Sequence, residues 1–337
     1  MRAATFFDGE GWRDGVIELV DGRMLLRDEA PAADLPRLDG VVVGGFTDHH
    51  VHLQLVDHAL LHRSTLGRVI DLGANPATIA ELAAVMSMAE MSTAEMSTAK
   101  TSVVAVEFAG AFLAPVGGYP SDRDWAPAGS FREIADAAAA ERAVAEMADA
   151  GASCLKVTSN STAGPVFADD LFRAIVDAGR ARELAVVAHA EGPGQAQRAA
   201  GLGAASLAHA PFTERLDDAE IAAQAASVSW ISTLAIHDGG TRSTAVDNVR
   251  RFHAAGGTVL YGTDMGNGPT PVGLNPAELA ALRDAGVTGT DLLRALAPQD
   301  PLDRASLLLL LPGTDTDPGT GPDPSHARPL TSADLKA

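Results

Sequence analysis

Four histidines, a lysine and an aspartate are spaced along this chain so that, once folded, they could hold a pair of metal ions. His50 and His52 lie in GFTDHHVH, Lys156 in CLKVTS, His189 in VVAHAEG, His209 in SLAHAPF and Asp264 in LYGTDMG. Each sits at the C-terminal end of a short apolar run that reads as a β-strand. Imidazole nitrogens and carboxylates are ordinary ligands for divalent ions, and such ions polarise carbonyls and acidify water. Parallel (β/α)8 barrels gather functional groups at the C-terminal ends of their strands. The order His-x-His, Lys, His, His, Asp therefore points to metal-assisted hydrolysis at the mouth of such a barrel.

His50 and His52 are two apart, so on a strand they share one face and can bind one ion together. His49 points to the opposite face and packs outward; His58 and His62 carry no assignment. Lys156 is a poor ligand as an ammonium, which has no lone pair. Burial near cations favours its neutral amine, and a neutral amine can react with carbon dioxide to give a carbamate, an anionic oxygen ligand able to bridge two ions. Strand alternation puts Cys154 and Thr158 on the same inward face, with Cys154 a small core filler one layer below the site. His189 and His209, each taken alone, read as buried and internally satisfied histidines. On successive strands, with Gly or Pro following closely, they read as a site. Asp264 is either the N-cap of a following helix or a carboxylate that touches metal and takes a proton from water.

The elements that must position these groups form three stretches. Residues 1–44 read as short strands punctuated by Asp-Gly turns at Asp8, Asp14, Asp21 and Asp39. From Val41 onward strands alternate with helices. The strands are expected at 41–47, 68–72, 103–109, 153–158, 184–189, 205–209, 228–235 and 257–263. The helices are expected at 76–88, 132–150, 168–182, 193–201, 216–226, 243–255 and 276–285. Eight such units make an α/β fold of the (β/α)8 TIM-barrel kind over residues 45–299. A doubly wound open sheet alternates in the same way, but it would spread the reactive strand ends along a line. Residues 300–337 are rich in Gly, Pro and Asp, apart from the run Leu307–Leu311. That run is expected to pair with the N-terminal strands, so that 1–44 and 300–337 share one small composite β domain. A local repeat, AEMST at 89–93 and 94–98, reads as an exposed helix extension.

Composition narrows the function. The formal net charge is −19, from 44 acidic against 25 basic side chains. Nucleic acids and anionic membrane surfaces need basic patches, so neither is expected as a partner; a small-molecule substrate is, and assembly into a homo-oligomer is compatible with the sequence. The single cysteine excludes an intrachain disulfide and a thiolate zinc cluster. It suits a reducing cytoplasm, and the N-terminal residues lack a signal-peptide pattern. No apolar run is long enough to span a bilayer.

Taken together, these motifs resemble the amidohydrolase superfamily. GFTDHHVH resembles its G-F-I-D-x-H-x-H element and CLKV its fourth-strand lysine. VVAHAEG and SLAHAPF resemble the fifth- and sixth-strand histidines of the imidazolonepropionase and prolidase-like branch, and GTDMG its eighth-strand aspartate. The resemblance covers roughly residues 1–312. It implies a binuclear site in which His50, His52 and Asp264 hold one ion, His189 and His209 hold the second, and carboxylated Lys156 and a hydroxide bridge them. Zinc suits the ligand set, with manganese, iron or cobalt as alternatives. Asp264 would then be general base and later general acid, in hydrolysis of an amide, cyclic amide, ester or lactone bond. Where related branches carry Gly-Gly-His after the third strand, this chain has PVGGYPSDRDW, so substrate specificity does not carry over. Within the 110–130 loop Tyr119, Arg123 and Trp125 are candidate substrate contacts, Arg123 as a carboxylate clamp, and His237 after the seventh strand is another. The same ligands would also serve a deaminase, isomerase or decarboxylase, or a barrel that has become a non-catalytic binding module.

Overall fold

The computed structural model describes residues 1–92, 104–313 and 316–336, with the side chains of 88–92 left aside. Most of the AEMST repeat therefore lies outside the described residues.

The N-terminal strands β1 (Arg2–Phe7), β2 (Trp12–Val20), β3 (Arg23–Arg27) and β4 (Arg37–Gly44) join two late strands, β15 (Leu308–Leu311) and β16 (Arg328–Pro329), in one sheet. Its order is β16-β15-β4-β1-β2-β3. β15 runs antiparallel to β4, with Leu309 opposite Val43 and Leu311 opposite Val41. Because side chains alternate along a strand, the two faces bury different sets. Phe7, Val41, Val43, Leu309 and Leu311 enter the main core, whereas Phe6, Val42, Leu308 and Leu310 form a second, smaller cluster on the other face.

The rest is a mixed α/β fold of parallel strands with intervening helices. Its strands are β5 (Phe46–Val51), β6 (Leu66–Asp71), β7 (Ala105–Phe108), β8 (Phe112–Pro115), β9 (Phe131–Ile134), β10 (Cys154–Asn160), β11 (Ala185–Glu191), β12 (Ser206–Leu207), β13 (Ser229–Ile231) and β14 (Val259–Leu260). Its helices are α1 (Pro76–Ser92), α2 (Ala137–Asp149), α3 (Asp169–Arg180), α4 (Gln195–Gly201), α5 (Asp218–Ala225), α6 (Gly239–Ala254), α7 (Pro276–Asp284) and α8 (Gly289–Ala295). The parallel strands fall into a seven-stranded curled sheet, β14-β13-β12-β11-β10-β8-β9, and a three-stranded one, β5-β6-β7. Backbone hydrogen bonds link the two at both sides. Ser153 N donates to Phe108 O at one side; His49 N donates to Tyr261 O and Met265 N to His50 O at the other. Leu72, Ala109, Cys154, Val187, Ala208 and Ile231, drawn from both sheets, form one buried cluster, so Cys154 fills space below Lys156 as its alternation implied.

Several boundaries differ from the sequence reading. The expected strand 41–47 is two strands in two sheets, separated at Gly44–Gly45. A Cβ at Gly44 would lie 1.9 Å from Gln299 O, and one at Gly45 would lie 2.7 Å from Gly67 Cα. Only glycine admits those two backbones. Residues 131–134, read as the start of a helix, form β9 instead, and β8 and α8 were not anticipated. The ladders of β12, β13 and β14 are shorter than the apolar runs that encode them.

Candidate metal centre

β5 delivers His50 and, one residue past its end, His52 to a shared cavity of about 250 Å3. β10 brings Lys156 and β11 brings His189; the segment after β12 brings His209, and the segment after β14 brings Asp264. All six are buried and line that cavity. The residues singled out along the sequence as possible metal ligands thus meet in one place.

Three of them make the tightest group: ligand atoms of His50, His209 and Asp264 all lie within 4.8 Å of one another. The His50 Nδ1–H donates to Ala208 O at 2.8 Å, which leaves its Nε2 as a lone pair. His52 Nδ1 faces Gly73 O at 3.4 Å, which favours the same tautomer. Both Nε2 atoms face Asp264 Oδ1, at 3.2 and 3.0 Å. Burial pushes His50 and His209 well below the ordinary imidazole range, and His189 down as well. Burial also opposes ionisation of Asp264, while positive charge on His50, His52 and His209 favours it and holds the carboxyl well below its usual value; with those imidazoles neutral, that positive charge has to come from elsewhere. Two neutral imidazole lone pairs converging on a carboxylate oxygen repel one another unless a cation sits among them. The donor set thus fits a divalent ion on its own chemistry.

Around this group each ligand is held by a partner. His209 Nδ1 bonds Thr233 Oγ1 at 2.9 Å. The His189 Nε2–H donates to Glu191 Oε2 at 3.2 Å, which turns its Nδ1 lone pair elsewhere. Glu191 in turn accepts from Asn160 Nδ2 and Thr162 Oγ1, and its bond to His189 helps hold its carboxyl low. Asp264 adopts a left-handed backbone, φ 53°, a region that Asp tolerates better than most residues. Asn267 Nδ2 donates to its Oδ2 at 2.8 Å. Asp48, buried and pushed up to about 7 by that burial, accepts from His50 N, Thr263 N and Thr263 Oγ1. It thereby clamps β5 to the chain that carries Asp264. Asp71 accepts from Leu53 N and Gly73 N and fixes the turn after His52.

Lys156 is 1% exposed. Its Nζ donates to His50 Nε2 at 3.4 Å, and burial lowers its ammonium from 10.5 to about 8. His49 turns away, as alternation required: its Nδ1 lies 3.0 Å from Tyr261 O.

The candidate substrate contacts divide. Tyr119 and Trp125 line the cavity; the Tyr119 ring stacks on His189 at 4.9 Å. Arg123 does not line it: its Nε lies 3.3 Å from Asp122 Oδ1 and its Cζ 5.7 Å from the Tyr119 ring centroid. His237 also stands outside the lining, with its ring 4.3 Å from Phe212, and its Nε2 is buried with no hydrogen-bond partner among the described residues.

No family model matches the chain, and no curated protein matches it. Solved structures do. A Xaa-Pro dipeptidase with methionine bound in its active site is 16% identical, with a TM-score of 0.66, 94% of this chain and 94% of that one being covered. The ochratoxinase of A. niger is 16% identical at a TM-score of 0.66, over 97% of this chain and 94% of that one. A phenylurea hydrolase B is 14% identical at a TM-score of 0.64, over 94% and 92%. At such identities the likeness establishes a common fold. The chain shares that fold with this dipeptidase, ochratoxinase and phenylurea hydrolase, and also with an amidohydrolase at 18% identity and a TM-score of 0.64, over 95% of this chain and 92% of that one.

Proposed function

We propose that this chain is a metal-dependent hydrolase of the amidohydrolase superfamily that cleaves an amide, cyclic amide, ester or lactone bond in a small molecule. The observation that carries the reading is the convergence of buried His50, His209 and Asp264 in one cavity, with His52, Lys156 and His189 lining it too. In this reading the two parallel sheets are arcs of one (β/α)8 barrel, and the hydrogen bonds at both of their sides support that. The sheet uniting β1–β4 with β15 and β16 is then a small unit beside it, made from residues 1–44 and 300–337.

His50, His52 and Asp264 would hold one divalent ion, and His189 and His209 a second, with a carbamate on Lys156 shared between them. Zinc fits imidazole and oxygen donors best, and manganese, iron or cobalt also fit. Such ions supply carbonyl polarisation and an acidified water. The residues do the rest. Asp264 Oδ1 faces the two histidines while Asn267 orients Oδ2; in this reading Oδ2 would accept the proton of the attacking water and return it to the leaving group. Glu191, an acceptor, fixes the tautomer of His189, and Thr233 orients the His209 ring. Burial keeps the Tyr119 phenol above its usual pKa, so it stays a hydrogen-bond donor in the cavity wall. Arg123 and His237 would touch only a substrate that extends past the cavity.

The test is metal analysis of the purified chain, with a turnover screen of N-acyl amino acids, dipeptides, cyclic amides and lactones before and after chelation. The expected result is about two divalent ions per chain and turnover lost on chelation and restored by metal. Full turnover after complete metal removal, or a folded protein that binds no divalent ion, would overturn the reading.

A further inference from the structure

We propose that the cavity takes an uncharged amide whose ring-bearing or branched apolar side lies against Leu55, Phe112, Tyr119 and Trp125, and that it discriminates against a free carboxylate on that side. This rests on the hydrolase reading above and names its substrate class.

The cavity has two unlike parts. One is the buried ligand group. The other is an unbroken arc of rings that leaves the group at one histidine and returns to it at another. Phe112 stacks on His52 at 5.8 Å, Trp125 meets Phe112 edge-on at 6.2 Å, Tyr119 lies 6.1 Å from Trp125, and Tyr119 stacks on His189 at 4.9 Å. Trp125 is at the outer point of this arc and is 41% exposed; Leu55, also in the lining, is 38% exposed. Large apolar side chains that line a cavity yet remain open to water gain by covering when an apolar group enters. A volume of about 250 Å3 is at the small end of ligand sites and suits a single ring with its amide.

Charge argues in the same direction. Among the described residues the lining holds one lysine and no arginine, and that lysine, Lys156, is committed to the ligand group. Arg123 is the sole guanidinium of residues 110–130, and it is paired with Asp122 beside the Tyr119 ring, outside the lining. Glu191, bonded to the His189 ring on which Tyr119 stacks, is itself a carboxylate. A carboxylate placed against the ring arc would lose water and find no cation there, only the Tyr119 hydroxyl and the Trp125 indole N–H as neutral donors, which leaves its charge uncompensated and is costly.

The pair 4-methylacetanilide and 4-acetamidobenzoate carries one amide and differs by a methyl against a carboxylate. Each is titrated by calorimetry into the metal-loaded full chain, and amine release is followed separately. The anilide should bind at least about tenfold more tightly than the benzoate. Trp125→Ala should weaken anilide binding about tenfold and leave benzoate binding unmoved, and Trp125→Phe should restore most of the loss. Equal or tighter binding of the benzoate, no anilide binding, or an anilide affinity indifferent to Trp125→Ala would each overturn the inference. Amine release tests the hydrolase reading on its own. Preferential anilide binding without hydrolysis of any amide in the screen would uphold this inference and sink that reading, and metal-dependent hydrolysis with a preference for the benzoate would do the reverse.

Discussion

Lys156→Met separates what this lysine does for chemistry from what it does to stability. The side chain is buried, its one side-chain hydrogen-bond partner among the described residues is His50 Nε2, and its ammonium falls from 10.5 to about 8. In the metal-free protein at pH 7 the group is charged in both folded and unfolded chains, and the folded form bears the whole difference. At ~1.4 kcal/mol per pKa unit, that difference is about 3 kcal/mol. Methionine fills a similar volume without charge. It leaves His50 Nε2 without its donor, which returns about 1 kcal/mol. The net expectation for metal-free Lys156→Met at pH 7 is stabilisation by about 2 kcal/mol, or about 3 °C in Tm for a chain of 337 residues. Because the folded pKa lies below the unfolded one, the gain is full below about pH 8, shrinks as pH rises towards 10.5 and disappears above it. Urea unfolding of chelator-treated wild type and variant at pH 7 and pH 10.5 reads both numbers. The same variant should lose about 100-fold or more of metal-dependent turnover. A variant less stable than wild type at pH 7, or equally stabilised at both pH values, would refute the claim that burial outweighs the pull of Asp264 and Asp71 on the Lys156 cation.

Other perturbations test other parts of the structure. Asp264→Asn keeps the shape but removes the charge that faces the His50 and His52 lone pairs; bound divalent metal should fall at least about tenfold in affinity, measured by metal analysis after dialysis, and an unchanged metal content would contradict the ligand role. Burial pushes the Cys154 thiol up to about 12, so an aromatic disulfide reagent at pH 8 should label no thiol in the folded protein and one per chain in denaturant. Since that thiol stays protonated in the folded chain while the unfolded one titrates near ~8.5, its contribution to stability declines as pH rises past about 9. Leu309→Ala, at a fully buried position opposite Val43, should cost about 2–5 kcal/mol, whereas Leu19→Ala, 45% exposed, should cost under about 0.5 kcal/mol; denaturant midpoints decide both.

The ligand group was legible because each member ends an apolar run, and a strand that ends in a polar residue must present it somewhere. The same rule applied to RVID points to Asp71, whose carboxylate meets the backbone amides of Leu53 and Gly73 and does not line the cavity. Thr233 was not legible, because it acts by touching His209 from another segment; Glu191, two residues after His189 on the same strand, and Asn267, three after Asp264, were marked by spacing that the reading of the sequence did not use. The boundary at Gly44–Gly45 was hidden for a different reason. VVVGGF stays apolar while the chain passes from one sheet to another, so hydropathy carries no break; the paired glycines were the available signal, and their meaning depends on Gln299 and Gly67, far along the sequence. β8 was missed because Gly110 and Pro115 give its segment the composition of a loop, and β9 because FREI runs straight into the pattern of α2.

The pairing of β15 with β4 has a consequence for synthesis. Val41, Val42 and Val43 leave the ribosome early, yet the strand that covers their open edge ends at Leu311. At roughly 5–20 residues per second, the wait is on the order of ten seconds to a minute. Throughout it the nascent chain carries a bare apolar strand edge, the kind of surface that recruits other chains, so demand for chaperones should concentrate on the first sheet to be made and the last to be finished.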